Sequence, residues 1–443
     1  QNIIISQGSG ASITIPNGQT KAIYSDGAGS GAAMVDAFQD LSIPDLFIDD
    51  DLTVGDDLIV NGDIDLEGSI DVNGTANLDA VDIDVSLTVD GTVKLNGNFP
   101  TGTDNIGLGN NTLNGSLSGA GNIAIGDSVG NAITSGSNAV AIGRDALGGV
   151  YTGADGIAIG RAALAALTSG NYNVAIGGLA GTALTTGDNN VAIGFEALKT
   201  EDANGDNVAV GYQALKTLNA GADAFNTAVG YQAGLSLTTG VQNTLIGAVA
   251  GDAITEADHN VAIGYAALST DTLGQRSVAI GRSALEDQNL ATTTQVYNVG
   301  IGYNAGGSIT TGTNNVLIGG LAGDAITDAD FNIAIGGNAL GTNTVGSYSV
   351  AVGHAALLNQ NPATATNMYN VAVGASAGAA VTTGIYNTLV GSLAGDALTE
   401  GQQNVAMGYL ALSADTKGKL SVAIGNNALA SQNFTTLTNV MNV

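Results

Sequence analysis

The sequence predicts an all-β protein whose larger part is a parallel β-roll, a solenoid of about 17 residues per coil. A segment of the type Asn-Val-Ala-Ile-Gly recurs nineteen times, and its closing glycine runs from Gly109 to Gly425, mostly at intervals of about 17 residues. β-Branched residues alternate with alanine in this segment, which is the pattern of a short strand. The chain has 66 Gly but only 4 Pro and no Trp. A fixed period of this length is typical of a solenoid.

The composition excludes several classes of partner and site. The formal net charge of −29 would repel a nucleic-acid backbone and an anionic membrane surface, so we predict no nucleic-acid partner. The sequence has no run of roughly 18 apolar residues, so we predict no membrane insertion. The absence of cysteine excludes disulfides and thiolate metal sites. A hydrophobic content of 44% argues against disorder.

We divide the chain into three regions. Residues 1–47 are predicted to form an N-terminal β segment. Residues 48–100 are predicted to form a β shaft, because apolar residues recur there every six residues with glycines between them. This short period suits a trimeric β-prism or triple β-helix, in which each chain supplies one wall. Residues 101–443 are predicted to form the β-roll.

Each coil of the β-roll is expected to hold two short strands and two turns. The closing glycine permits a turn with positive φ, and a small residue, mostly alanine, follows three positions later. The asparagine that opens the segment has two candidate roles. It can adopt the left-handed turn conformation, which we favour, or its amide can form a ladder with the amides of neighbouring coils. Recurring Ala-Leu pairs would allow a helix, but a glycine in every coil opposes one.

The alanines give each coil a thin core, so we expect the coils to need partners. We predict that the alanine-rich face packs against two further copies of the chain around one axis, which makes the molecule a homotrimer. At about 4.8 Å per coil, the nineteen coils would form a rod roughly 86 Å long. The chain begins with Gln1 rather than Met and reaches Val443 inside a further repeat. We therefore expect a processed or partial chain whose repeats continue.

A second, longer period is superimposed on the coils, and here it is called the block period. A block is four coils, one enlarged and three of ordinary length. One block separates Leu245 from Leu317 and Leu317 from Leu389, and these leucines stand where most coils have alanine. We expect these leucines to be equivalent and to lie on the face that meets the trimer axis. The enlarged coils are candidates for contact with a receptor or glycan, although we favour a purely structural loop. The candidate contact residues are Gln288, Asn289, Leu290, Gln360, Asn361, Pro362, Gln432, Asn433 and Phe434.

Enzyme-like motifs occur only as products of the repeat, and the acidic segment before the repeat contains no calcium-binding signature. Gly126–Gly130 and Gly374–Gly378 match the Gly-x-Ser-x-Gly pattern of hydrolases, but their glycines belong to the repeat, and neither His259 nor His354 has an assignable partner set. Residues 36–90 contain fifteen Asp, one Glu and no Lys or Arg, which favours a solvated acidic surface over a calcium site. We predict no catalytic residue, no cofactor and no metal.

The repeat resembles the left-handed parallel β-roll in the heads of trimeric autotransporter adhesins. The form VGYQAGLSLTTGVQNTLIG, from Val229 to Gly247, is also similar to repeats of phage tail fibres and related virion fibres. Near the N-terminus, Ile13–Phe38 and Asp51–Leu78 resemble segments that are common in phage fibre and virion proteins. The resemblance of these N-terminal segments favours the phage context.

The resemblance implies a structural subunit of a homotrimeric phage fibre that links the virion to a distal host-recognition element. The implied partners are further copies of the chain, another virion protein at the N-terminal end, and a host surface receptor or glycan bound through a distal region. The implied location is the virion surface and therefore extracellular. The alternative is a trimeric cell-surface adhesin of the bacterial autotransporter or secreted type. A polysaccharide-degrading tail spike is disfavoured, because no paired carboxylates stand out in the repeat region.

Overall fold

The computed structural model describes residues 1–6, 9, 11–18, 22–25, 34–36, 59–60, 104–114 and 117–442. Apart from residues 59 and 60, the predicted shaft of residues 48–100 lies outside the described residues. Its six-residue period therefore stays a prediction.

The chain divides into two units, Gln1–Thr92 and Val93–Val443. The described part of the first unit consists mainly of short strands that pair in antiparallel fashion. These pairs are β1 (Ile3–Ile5) with β2 (Ile13–Ile15), and β3 (Ile23–Ser25) with β4 (Met34–Asp36).

The second unit is a parallel β-solenoid with coils of about 17 residues, as predicted. Each coil contributes a three-residue strand that pairs in register with the strands of adjacent coils; Val191, for example, pairs with Val174 and Val208. The described residues contain no helix. The strands are β5 (Ile106–Leu108), β6 (Ile123–Ile125), β7 (Val140–Ile142), β8 (Ile157–Ile159), β9 (Val174–Ile176), β10 (Val191–Ile193), β11 (Val208–Val210), β12 (Thr227–Val229), β13 (Thr244–Ile246), β14 (Val261–Ile263), β16 (Val278–Ile280), β18 (Val299–Ile301), β19 (Val316–Ile318), β20 (Ile333–Ile335), β22 (Val350–Val352), β24 (Val371–Val373), β25 (Thr388–Val390), β26 (Val405–Met407) and β28 (Val422–Ile424).

The part of each coil that leads from one strand to the next is here called the return segment. It is a series of turns rather than the predicted second strand. After β10, φ is +134° at Gly194, +56° at Glu196 and +49° at Leu198. Left-handed residues at alternate positions prevent an extended strand, but the segment still bonds to the next coil, and Leu198 N–H donates to Ala214 C=O at 3.0 Å. Among the described coils, a second strand forms only where an enlarged coil pairs with the coil before it. These two-residue parallel pairs are β15 (Gly274–Gln275) with β17 (Thr294–Gln295), β21 (Gly346–Ser347) with β23 (Thr366–Asn367), and β27 (Gly418–Lys419) with β29 (Thr438–Asn439).

Alanine faces the inside of the coil, which corrects the predicted orientation of the strands. In β9, Ala175 is fully buried, whereas Ile176 is 36% exposed. The core consists of the strand alanines, the alanines of the return segment, and larger aliphatic side chains, mostly leucine. Interiors are close-packed, so where leucines of the return segment fill the core, the strand contributes mainly small side chains. The alanine face is therefore covered by its own chain, and the Val and Ile face lies on the outside of the coil.

Leu245, Leu317 and Leu389 occupy equivalent positions, as the block period predicts, but these positions lie inside the coil. Leu389 is fully buried. A Cβ atom on Gly378 would lie 2.6 Å from Leu389 Cδ1, and one on Gly395 would lie 2.8 Å from Leu389 Cδ2. The leucine therefore fills the volume that glycines of its own coil and the preceding coil leave free.

The central strand residue is glycine in β5 and in β18, where it is Gly300. A Cβ atom on Gly300 would lie 2.8 Å from Leu285 Cγ, so a leucine of the return segment occupies this space. At the three strand leucines, interior volume is conserved because the large strand residue meets glycines of the return segments.

The asparagines that open the repeat form a buried hydrogen-bond ladder. Asn387 is fully buried; its Oδ1 accepts from Asn404 N–H at 3.1 Å, and its Nδ2 donates to Asn370 Oδ1 at 3.2 Å and Gly401 C=O at 2.9 Å. The left-handed conformation belongs to the preceding residue, Tyr386, at φ +60°. The favoured turn role of asparagine is therefore wrong, and the amide ladder is what these residues form.

Two coils have no polar side chain at the ladder position, because Ala139 and Gly156 stand there. Tyr151 is fully buried here, and a Cβ atom on Gly156 would lie 2.9 Å from the Tyr151 hydroxyl. The aromatic ring fills interior volume where the amide is missing, and burial raises the pKa of Tyr151 to about 12.

Leu389→Ala should lower the free energy of unfolding by about 2–5 kcal/mol, because a buried leucine is removed from a site whose flanking glycines cannot fill the cavity. Leu437→Ala is the matched control, since Leu437 is 47% exposed, and it should change stability by less than about 0.5 kcal/mol. Urea unfolding followed by circular dichroism measures both changes. Equal effects of the two substitutions would contradict the interior position of Leu389.

Candidate interaction surface

The first and third residues of the nineteen solenoid strands form two columns on the outside of the coils, here called the outer face. The columns consist of Val, Ile and Thr, with Leu108 and Met407 as exceptions, and they contain no charged residue. Neighbouring coils cover these side chains in part, so that Ile246 and Ile335 are each 37% exposed. A continuous apolar surface of this kind is typical of an interaction site.

A further column of residues borders the outer face on each side. The leading rim is the position two residues before each strand, such as Tyr348 before Val350, and the trailing rim is the position two residues after it, such as His354 after Val352. Leading-rim residues are left-handed, with φ +61° at Tyr348. Alternate residues of an extended chain point to the same side, and the exposure of both rims agrees with a position beside the outer face.

Four aromatic rings stack along the leading rim. The centroid distances are 4.9 Å from Phe331 to Tyr348, 5.3 Å from Tyr348 to Tyr369, and 5.5 Å from Tyr369 to Tyr386. These side chains are between 39% and 50% exposed. The one-coil spacing thus produces a continuous row of rings along the solenoid.

The trailing rim carries a second stack on earlier coils. Phe195 and Tyr212 have centroids 5.7 Å apart, and Tyr212 and Tyr231 have centroids 5.3 Å apart. Further along this rim, the Arg282 guanidinium lies over the ring of Tyr265 at 5.8 Å, within the range of a cation–π contact. Both rims therefore combine exposure with an ordered arrangement of side chains.

Of the nine predicted contact residues, only the three asparagines are exposed. Their side-chain oxygens accept hydrogen bonds from threonines of the preceding coil, as Asn361 Oδ1 does from Thr344 Oγ1 at 2.7 Å. A contact role of the loops stays a prediction and can concern only exposed side chains. The exposed residues are Asn289, Asn361 and Asn433; Gln288, Leu290, Gln360 and Pro362 are buried, and Gln432 and Phe434 are partly buried.

The glutamines of the enlarged coils complete the asparagine ladder. Where Ser277 takes the asparagine position, Gln288 Nε2 donates to Ser277 Oγ at 3.0 Å, and Gln288 Oε1 accepts from Asn298 Nδ2 at 3.0 Å. In the next block, Gln360 Nε2 donates to Ser349 Oγ at 2.9 Å. Sequence reasoning missed this role, although a serine in place of asparagine precedes each of these glutamines.

The pKa values of two buried carboxyl groups are shifted in opposite directions. Asp271 is fully buried, and Gln288 Nε2 donates to its Oδ2 at 2.6 Å; burial raises the pKa of Asp271. The Glu196 carboxylate accepts from Lys199 and from Lys216, both at 2.7 Å, and these ammonium groups lower the pKa of Glu196 to about 2. Each carboxylate is thus held by donors of its own chain.

The enzyme-like motifs lie in ordinary positions of the repeat, whereas the acidic segment of residues 36–90 lies outside the described residues, apart from residues 36, 59 and 60. Ser128 and Ser376 take the same left-handed turn position as Glu196, with φ of +56° and +55°. No group of three His, Cys, Asp or Glu residues that could hold a metal ion occurs in the part of the chain that the structure describes. In the same residues, no helix is long and apolar enough to cross a membrane.

No model of a known protein family matches the chain, and no curated protein matches it significantly. Inference about function therefore depends on the outer face, the two rims and the pattern of the sequence.

The pH dependence of stability tests the buried carboxylate. The pKa of Asp271 is raised above its ordinary value of 3.8, so the folded chain holds this proton more tightly than the unfolded chain. The stability contributed by Asp271 is fully present below pH 3.8 and is lost as the pH rises through the raised pKa. Asn343 occupies the equivalent position in the next block and accepts Gly346 N–H at 3.0 Å, so the site accepts an amide.

Asp271→Asn should therefore raise the free energy of unfolding more at neutral pH than below pH 3.8, because only the carboxylate becomes a buried charge. Urea unfolding at the two pH values measures the difference. Asp202→Asn, at an exposed aspartate, is the control and should show no such difference. An Asp271→Asn effect that is the same at both pH values would contradict the raised pKa.

Proposed function

We propose that the chain is the structural subunit of a homotrimeric phage fibre that links a virion to a distal host-recognition element. The observation that supports this proposal is the outer face, which continues without a charged residue through all nineteen strands. A single chain leaves this face partly exposed to water, and its burial against further copies would be favourable by the hydrophobic effect.

Further copies of the same chain are the partners that suit the outer face best. A rotation axis parallel to the solenoid places each coil beside the same coil of a neighbouring chain, so the Val and Ile columns meet along their whole length. A globular partner would cover only a few coils. The number three comes from the resemblance of the repeat to trimeric β-roll fibres.

A structural role agrees with the chemistry of the described residues. The buried asparagines, the glutamines of the enlarged coils, Asp271 and Glu196 form hydrogen bonds or ion pairs with groups of their own chain. The rod of nineteen coils, roughly 86 Å long, is a spacer that can hold a recognition element away from a particle. The resemblance of Ile13–Phe38 to virion proteins supports attachment through the N-terminal end.

Charged substitutions on the outer face test the trimer. The chain should sediment as a trimer, and a variant with Ile263→Glu, Ile335→Glu and Val390→Glu should sediment as a folded monomer, because carboxylates of three chains would be brought together without counter-charges. Asn289→Glu, on an exposed loop residue, should remain a trimer. Circular dichroism checks that each variant is folded. A monomeric parent chain would contradict the proposal.

Labelling of native particles tests the biological context. Antibodies raised against the solenoid and coupled to gold should mark fibres on phage particles in electron micrographs. Gold on bacterial cell surfaces in the absence of particles would contradict the phage assignment and would support the alternative, a trimeric cell-surface adhesin. Pre-immune antibodies provide the control for non-specific labelling.

A further inference from the structure

On the coils that carry the leading-rim aromatic stack, the side chains of the leading rim are larger than those of the trailing rim. The stack comprises Phe331, Tyr348, Tyr369 and Tyr386 on four consecutive coils. On the same four coils the trailing rim has no large aromatic ring. Its residues there are Gly337, His354, Ala375 and Ser392.

The stacked rings present their edges rather than their faces. Each inner ring of the stack has a neighbouring ring on both sides, with centroids no more than 5.5 Å apart, so its faces are covered. A flat sugar ring therefore finds a free aromatic face only at the two ends of the stack. The accessible surface is a long row of ring edges, which suits packing against another protein surface.

The aromatic row changes from one rim to the other along the solenoid. On earlier coils the stack of Phe195, Tyr212 and Tyr231 lies on the trailing rim, and on later coils the stack from Phe331 to Tyr386 lies on the leading rim. Single exposed rings also lie on both rims, such as Tyr172 on the leading rim of an earlier coil and Tyr409 on the trailing rim of a later one. In a cyclic assembly the leading rim of each chain meets the trailing rim of the next, so every contact between chains contains rings in both parts.

We propose that the rims form the seams between chains, with the leading-rim aromatic stack of one chain packed against the trailing-rim residues of its neighbour at the same height, three of which are small. The inference rests on the proposed homotrimer and specifies which residues meet within it. Rotation about an axis parallel to the rod preserves height, so Tyr369 of one chain meets Ala375 of the next. Within one chain these positions are six residues apart, roughly 20 Å along an extended strand.

Cysteine cross-linking tests the seam, because the chain has no cysteine of its own. The full chain carrying both Tyr369→Cys and Ala375→Cys should form covalent dimers and trimers on oxidation or with a short bismaleimide linker, resolved by denaturing electrophoresis. Each single variant should remain monomeric on the gel, because the contact joins two different positions. Tyr348→Cys with His354→Cys is a second matched pair on another coil.

A height-mismatched pair provides the control. Tyr369→Cys with Gly320→Cys places the second thiol three coils away, about 14 Å along the rod, and a Cβ atom at Gly320 meets nothing within 4 Å. This pair should cross-link at least tenfold less than the matched pairs.

The possible results distinguish failure of the proposed seam from failure of the proposed trimer. A chain that sediments as a trimer but shows no excess cross-linking for either matched pair would overturn the seam and leave the trimer standing. Dimers from single Tyr369→Cys would also overturn it, because they indicate a two-fold contact between identical positions. A monomeric chain would overturn both, and the rims would then be free for a different partner.

Discussion

The strand of most coils turns an alanine into the interior, and close packing around this small side chain constrains every coil. Alanine suits the strand because a larger residue needs extra space on the opposite side of the coil. Leu389 finds that space between Gly378 and Gly395. Coil sequences therefore vary in compensating pairs, while the close packing of the interior is maintained.

The same tight coil brings polar backbone groups into the interior, where each one needs a hydrogen-bond partner. Asparagine supplies an acceptor and two donors from a single side chain, so Asn387 can bond to Asn370, Asn404 and Gly401 together. A serine cannot reach as far, and the enlarged coil then contributes a glutamine. The block period is thus, at least in part, a repeat of a hydrogen-bonding arrangement and not simply a series of exposed loops.

The character of the outer face follows from the use of alanine inside. A strand that turns its small residues inward must turn its β-branched residues outward, and the in-register pairing of coils aligns them into columns. The turn before each strand holds its residue in the left-handed region, as at Tyr348, and successive turns align aromatic side chains in the same way. The surfaces proposed for assembly are therefore consequences of the core and of the register of the coils.

The sequence by itself determined the solenoid, the length of its coils and the equivalence of Leu245, Leu317 and Leu389, because these features depend only on intervals along the chain. It did not determine which side of the strand is inside, since Ala and Val or Ile are both apolar and alternation defines two faces without ordering them. The close approach of the return segment decided that question. The roles of Asn387 and Gln288 also required the tertiary structure, because their partners are brought together only when successive coils stack.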